Sequence, residues 1–228
     1  MNMIMAKEPQ NQSQLDTYRQ SGPVRLGPWT SHIWRSDPKH LGFVLARYKF
    51  CAKMLAGKSE VLEVGCGDAF GMMVVLQTVE RVHGIDFEPV VIEDAKARLA
   101  AEGLERCSLS VLDIIERPLD KKFDAAYSLD VIEHIPPTSE NRFIANICGS
   151  LGPHGVCIIG IPNIEAARHA TSASAEGHIN LKSGESLRDL LQGYFYNVFV
   201  FSMNDEVVHT GFYPMAHYLL AVGVGVKG

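Results

Sequence analysis

An open α/β sheet of seven strands, with helices on both faces, an antiparallel last strand and a helical lid in front, is the fold class this sequence predicts. Three observations carry it. From Glu60 onward, apolar β-rich runs alternate with helix-length segments, which is the rhythm of βαβ units on a parallel sheet. A glycine-rich turn separates the first run from the first helix of that series. The last two β-rich runs follow one another without room for a helix, so they must pair antiparallel.

The elements follow in order. Residues 1–20 are polar and read as loose chain, as termini without apolar anchors do. GPWTSHIWRSDP (27–38) is rich in proline, tryptophan and histidine and reads as lid material, and KHLGFVLARYKFCAKMLAG (39–57) has the apolar period of a helix stopped by Gly57. The strand runs are EVLEVG (60–65), RVHGID (81–86), CSLSVLD (107–113), FDAAYSLD (123–130) and GVCIIGIP (155–162). Between them GMMVVLQTV, PVVIEDAKARLAAEG and SENRFIANICGSLG repeat apolar residues at helical spacing. SGESLRDLLQGY reads as a helix ending at Gly193, and YFYNVFVFSM and FYPMAHYLLAVGV form the closing pair, joined by the polar NDEVVHT. Residues 1–57 thus form an N-terminal segment and helix over the active site of a single domain whose body is 58–228.

Composition narrows the partners. A chain of 228 residues with 46% apolar and 21% charged residues has the makeup of one well-filled domain. A net charge of -5 with no Lys/Arg cluster argues against nucleic acid and for a small molecule. Five scattered cysteines with no CxxC pair suggest neither disulfides nor zinc and fit a reducing cytoplasm. The opening MNMIMAKEPQNQSQ turns polar too soon for a signal peptide, and no run of apolar residues is long enough to insert in a membrane.

VLEVGCGDAFG (61–71) is the first stretch that carries chemistry. Its glycines let a ligand approach the backbone and meet the free N–H groups of a helix start, which by itself does not choose the ligand. Glu63, two residues before Gly65, would repel a pyrophosphate and attract an ammonium or sulfonium group. Asp86 ends the second strand where a carboxylate grips ribose hydroxyls, and Asp113 ends the third, where it can accept from an exocyclic adenine amine. Three acids at successive strand ends fit a cationic nucleoside without phosphates, which describes S-adenosylmethionine. A nicotinamide dehydrogenase stays open as a weaker alternative.

At this point the sequence resembles a family. VLEVGCGDAFG, HGIDFEP and FDAAYSLDVIEHIPP resemble the first, second and fourth motifs of class I S-adenosylmethionine-dependent methyltransferases of the small-molecule group, and LGPHGVCIIGIPN resembles the strand that follows. The likeness is strong over about residues 58–162; Ala69 departs from it where the family often has a third glycine. It implies a Rossmann-like seven-stranded sheet. It also implies that Glu63, Gly65, Cys66 and Gly67 border the methionine part of the cofactor, that Asp86 holds the ribose, that Phe87, Asp113 and Ile114 flank the adenine, and that Leu129 and Asp130 line the cofactor at the end of strand four.

The acceptor side rests on fewer signals. His134, directly beyond strand four, titrates near neutral pH and is the expected general base beside Glu133. The long polar connection 162–187 offers Asn163 and His178 as acceptor contacts, and Trp29, His32, Trp34 and Arg35 offer walls of aromatic and guanidinium surface. No His, Cys and acid set has ligand-like spacing, so no metal is expected and turnover should survive chelation. The expected activity is methylation of a small molecule, on the oxygen of a sugar, surface-polysaccharide or natural-product intermediate, with a homodimer as a possible assembly. Alternatives are a quinone-type or amine acceptor, or a module that binds the cofactor without turnover.

Overall fold

Five β-rich runs become strands, the central ones covered on both faces: β1 (Glu60–Val64), β2 (Arg81–Asp86), β3 (Cys107–Val111), β4 (Phe123–Leu129) and β5 (Leu151–Pro162). In this computed structural model, which describes residues 5–170 and 176–228, they lie parallel in the order β3-β2-β1-β4-β5. Chain order reverses between β1 and β4. The crevice beyond the carboxyl ends of such a strand pair is where sheets of this kind take ligands.

Three further strands close the sheet: β6 (Phe195–Asn204), β7 (Val207–His209) and β8 (Tyr218–Val226). β8 runs antiparallel between β5 and β6, so the last strand is antiparallel as predicted. The sheet has eight strands rather than seven, because Val207–His209 folds back on Ser202–Asn204. That edge strand is too short to show a period and lies inside the segment read as a polar joint.

Helices cover both faces. On one, α3 (His40–Met54), α4 (Met72–Val75) and α5 (Pro89–Ala101) bury Cys51, Met72, Val75, Ile92 and Ala95 against β1, β2 and β4. On the other, α6 (Glu140–Gly149) and α7 (Gly184–Gln192) bury Phe143, Ile144, Ile147, Leu187 and Leu191. Each such side chain contributes about 1.5–3 kcal/mol by leaving water. α7 starts where Ser183 and Ser186 form a reciprocal capping box.

Two expectations need correction. Gln12–Ser21 is a helix, α1, rather than loose chain, although it buries nothing; local pairs such as Arg19–Asp16 at 3.0 Å support it. The segment 71–79 holds only the single turn of α4, since Leu76 and Val79 reach the core from turns instead. Ahead of the sheet, α2 (Pro28–Ser36) forms within the segment expected to be a lid.

Candidate functional site

β1 runs into the glycine turn because a backbone without side chains is needed there. Gly65 and Gly67 have φ of +74° and +50°, the left-handed region that glycine enters freely, and a side chain at Gly65 would collide with Val131. Ala69, the departure from the family pattern, stands at φ +57°, a conformation that costs alanine about 1 kcal/mol. The turn is pinned from β2: the Gly67 N–H donates to Asp86 Oδ2 at 2.9 Å and the Glu88 N–H to Asp86 Oδ1 at 3.0 Å. Asp86 is therefore held at the turn, with lone pairs left over on both oxygens.

Glu63 lies beneath the turn, not on a ligand-facing wall. Its register partner on β4 is Tyr127, and the hydroxyls of Tyr127 and Tyr48 each donate to its carboxyl at 2.8 Å. Burial pushes that carboxyl up to about 8, against the two tyrosine donors, with Asp68 and Asp86 adding to the rise. The expectation of a free carboxylate attracting a cationic ligand is corrected: burial between two tyrosines shifts this group toward its protonated form.

α2 docks above the turn. The Thr30 N–H and hydroxyl donate to the two oxygens of Asp68 at 2.8 and 2.9 Å, so a carboxylate from the turn caps the first turn of α2. Arg98 from α5 donates to the Asp68 carbonyl at 2.7 Å. Trp29 thereby comes to lie against Gly67.

Between these parts is a cavity of about 670 Å³, within the range of small-molecule sites. Of the sequence-derived residues, Trp29, Gly65, Cys66, Gly67, Leu129, Asp130, Glu133, His134, Asn163 and His178 line it. Phe87, Asp113 and Ile114 lie outside, where β2 and β3 end, and Phe87 is 69% exposed. His32, Trp34 and Arg35 are exposed and do not line the cavity; Trp29, Thr30 and Ile33 form the inward face of α2 instead, as helical spacing requires. Asn163 touches the cavity, yet its amide donates to the Tyr213 and Ala216 carbonyls at 2.9 Å and its Oδ1 accepts from the Glu165 N–H at 3.1 Å. Its polar atoms are committed to holding the fold, which corrects its placement among acceptor contacts.

Two residues that motif reading passed over stand at the center. Arg47, on α3, pairs with Asp130 at 2.5 Å and lies 3.9 Å over the Tyr218 ring; Arg47 Nε and the Tyr218 hydroxyl are buried without a partner. Its signal in the sequence is an arginine within the apolar period of a helix. Asp130 itself has φ +57°, which turns the chain out of β4.

Beyond Asp130, the turn Ile132–His134 carries Glu133, fully buried with both carboxyl oxygens unpartnered. Burial and the nearby Asp130 raise its pKa. The Glu133 carbonyl accepts from the N–H groups of Ile179 and Asn180 at 2.9 and 3.0 Å, which brings the far connection back over this turn. His134 Nδ1 donates to the Gly177 carbonyl at 3.0 Å, and its ring stands edge-on to His178 at 5.1 Å. Burial, then His134, lowers the His178 pKa. Ligand atoms of Glu133, His134 and His178 lie within 4.8 Å of one another. Sequence spacing points to no metal-ligating set, because spacing along the chain cannot see a group assembled from two connections. Of the polar connection read as an acceptor loop, residues 171–175 lie outside the described residues.

Comparison with known proteins agrees with this geometry. Residues 61–155 match a family model described as a methyltransferase domain. A probable S-adenosylmethionine-dependent methyltransferase of Mycolicibacterium smegmatis is 29% identical over 117 residues, 51% of this chain and 42% of that protein. A ubiquinone biosynthesis O-methyltransferase of Rickettsia felis is 32% identical over 106 residues, 46% of this chain and 42% of its own length. The matches thus span less than half of either relative. The solved structure of the N-methyltransferase NodS from Bradyrhizobium japonicum, in complex with S-adenosylhomocysteine, superposes with a TM-score of 0.63 at 18% identity over 92% of this chain and 98% of that one.

Proposed function

We propose that this chain, whose residues 61–155 are a methyltransferase domain of the class I S-adenosylmethionine-dependent kind, transfers a methyl group from S-adenosylmethionine to a small molecule held in the cavity. The observation that carries this reading is the glycine turn at the β1/β4 switch point, held by Asp86 through the Gly67 N–H. The residues fit the cofactor. Gly65, Cys66, Gly67, Leu129 and Asp130 would meet its methionine half in the cavity, Asp86 its ribose, and the exposed Phe87 with Asp113 and Ile114 its adenine over the open strand ends. When bound, the cofactor supplies an electrophilic methyl group on a sulfonium.

The chain's own part is to align and enclose. Residues of α2 and α3 line the cavity, and beside the turn after β4 it presents His134 and His178. Because His134 Nδ1 faces a carbonyl, that nitrogen carries the proton and Nε2 keeps the lone pair. This lone pair is the handle on an acceptor oxygen, in favor of O-methylation of a sugar, surface-polysaccharide or natural-product intermediate. A net charge of -5 disfavors nucleic acid as acceptor.

Asp86→Ala tests the cofactor assignment. It removes a hydrogen-bonded carboxylate from both the turn and the ribose position, so S-adenosylhomocysteine binding should weaken by roughly 1–3 kcal/mol, read by calorimetric titration. Affinity equal to that of the wild type would remove this turn as the cofactor site.

A further inference from the structure

We infer that Glu133, His134 and His178 bind one divalent transition-metal cation in the cavity, beside the turn after β4. The group is assembled by the fold: Glu133 and His134 come from the turn after β4, and His178 from the connection clamped onto that turn through the Glu133 carbonyl. Their ligand atoms lie within 4.8 Å of one another. Bonds of about 2.0–2.2 Å to one ion would bring them closer still, a change that side-chain rotation supplies.

The second, independent observation is the Glu133 carboxyl. It is 0% exposed, it borders the cavity, and neither oxygen has a partner. Buried acceptors left without donors are expensive; Arg47 in the same cavity directs Nη1 to Asp130, and its Nε makes no hydrogen bond to Glu133. A cation is the partner that satisfies both oxygens. The surroundings of His134 match what a metal-ligating imidazole needs: its Nδ1 donates to a backbone carbonyl, that of Gly177, which fixes the tautomer and leaves Nε2 free to ligate.

The donor set of two imidazoles and one carboxylate selects manganese, iron, cobalt, nickel or zinc over calcium and magnesium, which favor oxygen ligands throughout. Three protein ligands leave positions open toward the cavity. On the reading of this site as a methyltransferase, the acceptor is then a hydroxyl compound, best a vicinal diol that chelates the ion. The coordinated hydroxyl releases its proton to water, the oxygen's lone pair forms the bond to the methyl carbon, and the carbon–sulfur pair returns to sulfur. This takes the place of direct proton transfer to His134 and reverses the expectation that turnover survives chelation.

The test uses the tag-free full chain, stripped with chelator and dialyzed, titrated by calorimetry with Mn2+ alone and with Co2+ alone. One ion per chain should bind, and Glu133→Gln and His178→Ala, confirmed as folded by circular dichroism, should each bind at least about tenfold more weakly. If the buried Glu133 variant does not fold, His178→Ala decides. No ion uptake by the wild type, or uptake by His178→Ala equal to that of the wild type, overturns the proposal. S-adenosylhomocysteine is titrated separately into the metal-free protein, so failure of the cofactor reading and failure of the metal site give different results.

Discussion

Glu63 shows what a single residue gains from its surroundings. As a letter two places before Gly65 it reads as a carboxylate facing a cationic ligand; in the fold it sits between two tyrosine hydroxyls with its pKa raised from 4.5 to about 8, mainly by burial. The folded state therefore keeps a proton that the unfolded chain releases near its ordinary pKa, and stability must fall as pH rises from about 5 to about 8. Glu63→Gln, neutral at every pH and still able to meet both tyrosines, should lose less stability over that interval. The difference should amount to a few kcal/mol at about 1.4 kcal/mol per pH unit, measured by denaturant unfolding at several pH values. Parallel pH slopes for the two proteins would show that Glu63 is ionized in the fold. The acid was legible in the sequence, but its protonation was not, because Tyr48 and Tyr127 reach it from a helix and a neighboring strand.

At the scale of elements, the lid and the glycine turn behave as one unit. The link is the pair of hydrogen bonds from Thr30 to Asp68, and both tryptophans of the chain, Trp29 and Trp34, belong to α2. Intrinsic tryptophan fluorescence thus reports on this helix. Asp68→Ala removes the cap, which costs a helix roughly 0.5–2 kcal/mol, so the emission should shift to the red and S-adenosylhomocysteine should bind more weakly. A spectrum identical to that of the wild type would show that α2 is held by its apolar face alone. The Pro/Trp/His composition of 27–38 reads as lid material, and the segment forms α2 beside the cavity. Which side chains turn inward required knowing that the segment is helical and which face Asp68 captures.

For the whole molecule, the cofactor reading predicts ligand-dependent stability. A ligand that binds only the folded state at about one hundred times its Kd adds about 2.7 kcal/mol, which for a chain of this size raises Tm by roughly 5–10 °C. S-adenosylhomocysteine should produce that shift in a thermal melt and NAD should not. The reverse result would return the glycine turn to the dinucleotide reading. The observed strand order, with β1 and β4 adjacent at the center, is what places the turn and the Glu133–His134 segment on one crevice.

The sequence by itself determined the sheet, since a run covered on both faces must be continuously apolar and the turn after β1 must be glycine to escape Val131. Both are local or pairwise demands that leave a mark in order along the chain. The antiparallel ending was legible for the same reason: two strands without an intervening helix have one way to pair. Tertiary structure alone brought together the side chains around the turn after β4. His178 reaches Glu133 and His134 through hydrogen bonds between connections far apart in sequence, Arg47 reaches Asp130 from another helix, and the polar atoms of Asn163 are taken up by the carbonyls of Tyr213 and Ala216. Hydrogen bonding and ligation depend on distances of a few ångströms in space, which no spacing in the sequence records.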